Sequence, residues 1–234
     1  MINFSEFNDL ARRRRAIRHF QPDPIDKETL LRLLETAQWA PSGYNLQPTH
    51  YYAVTNEVLK NSLYSACFKQ KQILEAPATI VFTGDRRVFE NHFEKVIRME
   101  LETGAINEEY EKKLRQFVPL AFAHSPMGLG WFWKAALAPL LRLATPVPDF
   151  PAAHKRFWLA KQVLLNAMIF MLAATAEGLA TVPMEGFDES RVKRALGIPR
   201  SHIVPVLIPV GYAVTADLKK TRLPLQDVLH WDRW

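Results

Sequence analysis

The stretch from Ala152 to Glu177 constrains the fold more than any other part of the chain. It holds Leu164, Leu165, Met168, Ile169, Met171 and Leu172, and Gly178 follows as a natural left-handed stop. The pattern predicts one long helix, apolar on most sides. Such a helix has little surface to offer water and is ordinarily buried, so the remaining elements must be arranged around it. The 234 residues suffice for a large core. Apolar residues make up 48% and charged residues 23%, which excludes a disordered chain. A lone cysteine, Cys67, rules out an internal disulfide and fits a reducing compartment. The N-terminus carries Glu6, Asp9 and then Arg12 to Arg15, with no apolar leader behind them, so the expected location is cytoplasmic.

Shorter elements are readable on either side. Residues 5 to 15 predict a helix, and Asp26 caps a second that runs to Trp39 and stops at Pro41. Thr49–Thr55 predicts a strand, and Asn56 caps a helix to about Glu75. Ala78–Thr83 predicts a buried strand, Asp85 opens a helix to about Glu102, and Asn107–Val118 continues helical. Cys67 falls mid-helix among apolar residues and reads as buried, not nucleophilic. Asp188 caps a short helix ended by Gly197. Ile203–Val210 predicts a strand that Pro205 and Pro209 confine to an edge or a terminal pairing. No repeat or linker divides the chain, so residues 1–234 read as one domain. Within it, residues 119–150 form a divergent apolar insertion containing Trp131, Phe132 and Trp133. A helical hairpin over a pocket, an interfacial membrane contact through 125–148 and dimer packing are its three readings.

The net charge of +6 is scattered apart from Arg12–Arg15. No basic stripe interleaves with aromatic residues, so a nucleic-acid partner is not expected. Four polar segments far apart in sequence carry the chemistry instead. Arg14-Arg15-Ala16-Ile17-Arg18 and Lys220-Thr221-Arg222 supply cations for a phosphate, which carries about two negative charges near neutral pH. Guanidinium forks suit phosphate oxygens. Pro41-Ser42-Gly43-Tyr44-Asn45-Leu46-Gln47-Pro48 supplies a hydroxyl and two amides, each amide both donor and acceptor, as the polar edge of a flavin ring requires. Pro183-Met184-Glu185-Gly186 supplies a turn whose Glu185 and Gly186 N–H groups can face a ring. Each segment alone also reads as ordinary structure: a solvated helix end, a turn after a helix, a loop before one.

Taken together and in this order, these segments resemble the FMN-dependent nitroreductase family. Ala76-Pro77-Ala78-Thr79-Ile80-Val81, Ala176-Glu177-Gly178-Leu179 and Pro183 to Asp188 match further family elements. The resemblance implies an α+β sandwich, with a mixed central sheet flanked by helices, assembled as an intertwined homodimer. It implies FMN at the subunit interface and NADH or NADPH as a transient hydride donor. A nitroaromatic, quinone or similar small acceptor would then be reduced in the same pocket. Cofactor contacts are expected from Arg14, Arg15, Ala16 and Arg18; from Pro41, Ser42, Gly43, Asn45 and Gln47; and from Lys69, Pro183, Met184, Glu185, Gly186, Lys220 and Arg222. Tyr44, Phe132 and Trp133 would border the substrate. No catalytic side chain is implied, because the reaction is borne by the cofactor.

Two departures stand out. Ala16 replaces a serine common in the family, and Lys69 stands where many members have asparagine. Altered flavin chemistry (reductive dehalogenation or dehydrogenation) and a non-enzymatic flavoprotein or membrane-surface module are the alternative functions. The seven histidines show no metal-ligand spacing, so no metal is expected.

Overall fold

The computed structural model describes residues 3–122, 140, 143, 155–214 and 219–233. Four strands form an antiparallel sheet in the order β1-β2-β4-β3: β1 Thr49–Val54, β2 Ala78–Asp85, β3 Ala180–Thr181 and β4 His202–Gly211. Among the described residues, the parallel component of the expected mixed sheet is a single bridge, Ala16 to Thr181. The α-helices among them are α1 Phe4–Arg13, α2 Lys27–Gln38, α3 Glu57–Ala66, α4 Gln72–Glu75, α5 Val88–Glu102, α6 Glu108–Phe122, α7 Lys155–Ala176 and α8 Glu189–Leu196.

Alternation along the central strands sorts the core. Ile80 and Phe82 of β2, with Val206 and Ile208 of β4, pack against Leu30 and Leu33 of α2 and Val163, Ala167 and Phe170 of α7. Val81 and Leu207 point the other way, onto Leu63 and Ala66 of α3 and Val192 of α8. The sheet is therefore a middle layer, with α2/α7 on one face and α3/α8 on the other. A third cluster at one end joins Leu46 to α5, α6 and Leu159 of α7.

The helix starts follow the caps. Asp26 accepts the Thr29 N–H at 2.7 Å, Asn56 accepts from Val58 and Leu59, and Asp188 accepts from Arg191. Gly197 closes α8 in the left-handed region, at φ 65°.

Several expectations are corrected. The helix predicted from Asn56 to Glu75 breaks after Ala66, where Phe68 and Lys69 turn left-handed and Cys67 becomes the cap residue. Asp85 ends β2 instead of opening α5; its carboxylate accepts the Arg87 N–H one residue before the helix begins. Strand β4 is central, not an edge. Phe82 pairs with Val206 and Gly84 with Ile203, so Pro205 sits in the bulge between them, where no ladder donor is needed. Pro209 accepts the Val182 N–H, so its missing donor points toward the short β3 side. Beyond Phe122, the 119–150 insertion lies outside the described residues, apart from Leu140 and Leu143, both exposed. Trp131, Phe132 and Trp133 fall there.

Helix α7 is long and apolar enough to span a membrane by length and composition alone, yet one side of it lies on the sheet. All-round burial is not what this chain achieves. Leu164, Leu165 and Met168 remain 41–43% exposed on its opposite side.

Candidate functional site

The cationic side of the site is built by the bridge from Ala16 to Thr181. The Ile17 N–H donates to Thr181 O, and the Gln21 N–H to Tyr212 O, which lays residues 16–21 beside the ends of β3 and β4. A cavity of about 490 Å³ opens there, lined by Arg12–Arg15, Gly178, Ala180 and Lys220, with no carboxylate among its described lining residues. Burial and the nearby Arg222 charge lower the Arg14 pKa. Burial, then Arg14, Arg222, Arg15 and Arg12, lower that of Lys220. The Arg15 side chain donates to Lys219 O at 3.0 Å, while its buried Nε has no partner. Cations depressed by burial and by one another, beside a guanidinium nitrogen with no acceptor among the described residues, have the chemistry that an anion would satisfy. Lys220 enters it differently from expectation. Its ammonium already donates to the carbonyls of Ala11, Arg12 and Arg14 at 3.3, 2.9 and 2.6 Å, which uses all three of its protons at the end of α1. It contributes charge and holds the arginine loop; Arg14 lines the cavity, and Arg222, whose Nη1 donates to Thr221 O at 2.7 Å, acts on Arg14 as a nearby charge. Arg18 is exposed.

The Pro183–Gly186 turn lies next along the same edge. Met184 is buried and exchanges both backbone hydrogen bonds with Leu207. That pins the turn while Glu185 and Gly186 remain exposed, and among the described residues their N–H groups have no acceptor. Gly186 O accepts from Gln70 Nε2 at 2.7 Å, and Gln70 in turn accepts from Gln72. A Cβ on Gly186 would stand 3.3 Å from Gln70 Nε2, so the close approach favours glycine. Lys69, exposed at φ 58°, sits on the loop that Gln70 ties to this turn.

The Pro41–Pro48 segment belongs to the other face. Its Gly43 N–H donates to Gln162 Oε1 of α7 at 2.8 Å, and Asn45 donates to Glu100 of α5 at 2.8 Å. Ser42 Oγ accepts the Gln47 N–H, and the Gln47 amide donates back to Asn45. Tyr44 stands edge-on to Phe122, and Phe122 to Trp158. Ser42 and Gln47 line a cavity of about 270 Å³ with Thr49, Tyr51, Lys95, Met99 and Asn166. Burial pushes the Tyr51 hydroxyl up to about 12, and it accepts from Asn166.

Backbone strain picks out the same places. Six non-glycine residues among those described have positive φ, and five of them are Tyr44, Asn45, Gln47, Phe68 and Lys69. Left-handed backbone costs such residues about 1–3 kcal/mol each and persists where the surroundings dictate it, often at ligand sites. The chain thus brings the arginine loop, the Gln70 loop, the Pro183 turn and Lys220–Arg222 to one edge. It places the amide segment on the opposite face. Sequence reasoning missed Gln70 as a brace, and it missed Gln162 and Asn166, two buried amides four residues apart in an apolar helix. That i, i+4 spacing was the available signal.

The family model described as the nitroreductase family matches residues 11–212. The chain belongs to the nitroreductase family. The matched span includes the arginine, amide and Pro183 segments and ends before Lys220. Among relatives of this nitroreductase-family chain, a Thermus thermophilus protein named NADH dehydrogenase is 30% identical over 94% of this chain and 93% of its own. A Bacillus subtilis protein named putative NAD(P)H nitroreductase YodC is 28% identical, covering 95% of this chain and 97% of its own. A putative nitroreductase from Exiguobacterium sibiricum, solved in complex with FMN, superposes with a TM-score of 0.75 at 25% identity over 97% of both chains.

Proposed function

We propose that this nitroreductase-family protein is an FMN-dependent oxidoreductase. In this reading it takes a hydride from NADH or NADPH and passes it to a small oxidised acceptor, such as a nitroaromatic or quinone, in alternating half-reactions. The observation that carries the reading is the cation-lined cavity at one end of an edge whose other end presents two backbone N–H groups unpartnered among the described residues. A phosphate on one side and a polar heteroaromatic ring on the other describe a flavin mononucleotide, and the residues present fit it. Arg14 and Arg222 would grip the phosphate, with Lys220 adding charge from behind. Arg15 Nε is the buried donor that an anion would satisfy. The Glu185 and Gly186 N–H groups would hold the ring edge, with Lys69 alongside. Bound FMN would supply the two-electron chemistry.

The amide segment can reach the same ring only from a second copy of the chain, because in one copy it lies across the sheet. The exposed side of α7 supports that homodimer. Burying Leu164, Leu165 and Met168 against a partner removes apolar surface worth roughly 25 cal/mol per Å². Ser42, Asn45 and Gln47 would then present a preformed rim to the partner's flavin, and Tyr44 would border the acceptor.

The purified protein should be yellow and should bleach anaerobically with NADH or NADPH. Failure to bleach with either donor rejects the reductase reading even if flavin is present. Light scattering should give twice the chain mass, and Leu165→Glu should shift it toward the monomer with loss of flavin.

A further inference from the structure

Strand register gathers a second polar cluster that the reading above does not use. With β1, β2 and β4 side by side, His50 lies opposite Thr83 and Asp85 opposite His202. One ligand atom from each of His50, Asp85 and His202 falls within 4.8 Å of the others. Asp85 and His202 are buried.

The Thr83 hydroxyl is 3.0 Å from His202 Nδ1, which holds the ring with Nε2 toward Asp85 Oδ1, 3.9 Å away. At that separation no hydrogen bond joins the ring to the carboxylate. His50 Nε2 lies beside them, buried and without a hydrogen-bond partner among the described residues. Two ring nitrogens and a carboxylate oxygen thus converge with no hydrogen bond between them, an arrangement that a shared cation would join.

The donor set selects its chemistry. The Asp85 carboxylate already accepts from the Arg87 N–H at 2.9 Å and from Asn91 at 2.6 Å. Lys155 acts on Asp85, and Lys193 and Arg87 act on His202, as nearby positive charges. Lys193 is paired with Glu189 at 2.7 Å, and Lys155 faces Glu90 as well as Asp85. Asp85 is thus the one carboxylate the cluster offers, where a hard ion such as Ca²⁺ takes about six to eight oxygen ligands. Two imidazoles and a carboxylate suit an ion of borderline softness, with an open position for water. We propose that His50, Asp85 and His202 bind a zinc-class divalent ion that ties β1, β2 and β4 together. His92 connects this place to the amide segment. Its ring centroid is 6.0 Å from that of His50, and its Nδ1 donates to Leu46 O at 2.9 Å.

The test is calorimetric titration of Zn²⁺ into the chelator-treated, dialysed full chain. Wild type should take up one equivalent per chain, and its melting temperature should rise with Zn²⁺, because an ion bound only by the folded state stabilises it. His50→Ala should weaken binding at least ten-fold and abolish the melting shift. Thr83→Val keeps the side-chain shape but removes the hydroxyl that orients His202, and should weaken binding by about ten-fold. His19→Gln, on the exposed surface, should leave binding unchanged. Wild type needs no substitution to be decisive: absence of stoichiometric uptake overturns the proposal. So does uptake that survives both His50→Ala and Asp85→Asn undiminished.

Discussion

The amide segment and the arginine loop differ in how completely each is satisfied. In Pro41–Pro48 almost every polar group has a partner inside the chain, and the strained backbone of Tyr44, Asn45 and Gln47 is held by bonds to Gln162 and Glu100. Around Arg14 and Lys220 the charges repel one another, and Arg15 Nε has no acceptor. One region is satisfied from within the chain, and the other has a positive charge and a donor left over among the described residues, which an anion would take up. A site can thus divide its work between a rigid rim, made in folding, and an electrostatic hole, filled in binding.

The largest expected effect breaks the electrostatic half. Arg14→Ala combined with Arg222→Ala should weaken FMN binding on the order of a hundred-fold, and Arg222→Ala alone by about ten-fold or more, since hydrogen bonds to charged groups are among the stronger ones. Fluorescence titration of the cofactor-free protein reads this directly; an unchanged dissociation constant removes Arg222 from the phosphate role. Next comes the rigid half. Gln162→Leu leaves the Gly43 N–H without its acceptor and should cost about 1–3 kcal/mol of stability, read by urea unfolding of cofactor-free protein. Phosphate-dependent affinity should scarcely move. If Gln162→Leu instead weakened the grip on inorganic phosphate as much as Arg222→Ala does, the division of labour would be wrong.

The smallest effect is a control on burial near the Gln70 loop. Burial pushes the Cys67 thiol up to about 12. Its pKa in the unfolded chain is about 8.5. The folded value is the higher one, so the stability it contributes is whole below about pH 8.5 and is lost as pH rises toward 12. Iodoacetamide at pH 8.5 should therefore leave the native thiol untouched and label it promptly in guanidinium. Fast native labelling would mean that the loop after α3 opens readily.

Much of this architecture was legible because it is local. Asp26, Asn56 and Asp188 announce their helices through caps, and the period of α2 shows its buried stripe. What was hidden depends on register. Pro205 looked like an edge marker because nothing in sequence reveals a bulge. His50, Asp85 and His202 are far apart in the chain and meet only when β1, β2 and β4 align. The site segments could be read as chemical types, yet their distribution over two faces of the sheet could not, since that is a property of how α7 packs. Lys220 was legible as a cation but not as a clamp on three carbonyls of the α1 terminus.

That clamp has a consequence for timing. Residues 11–14 and 220 are separated by some two hundred positions. During synthesis on the ribosome, the arginine loop lacks this tie until residue 220 has emerged, after all four strands of the sheet. Cofactor capture would then be a late event, and a protease nick ahead of Lys220 would loosen the grip without disturbing the sheet.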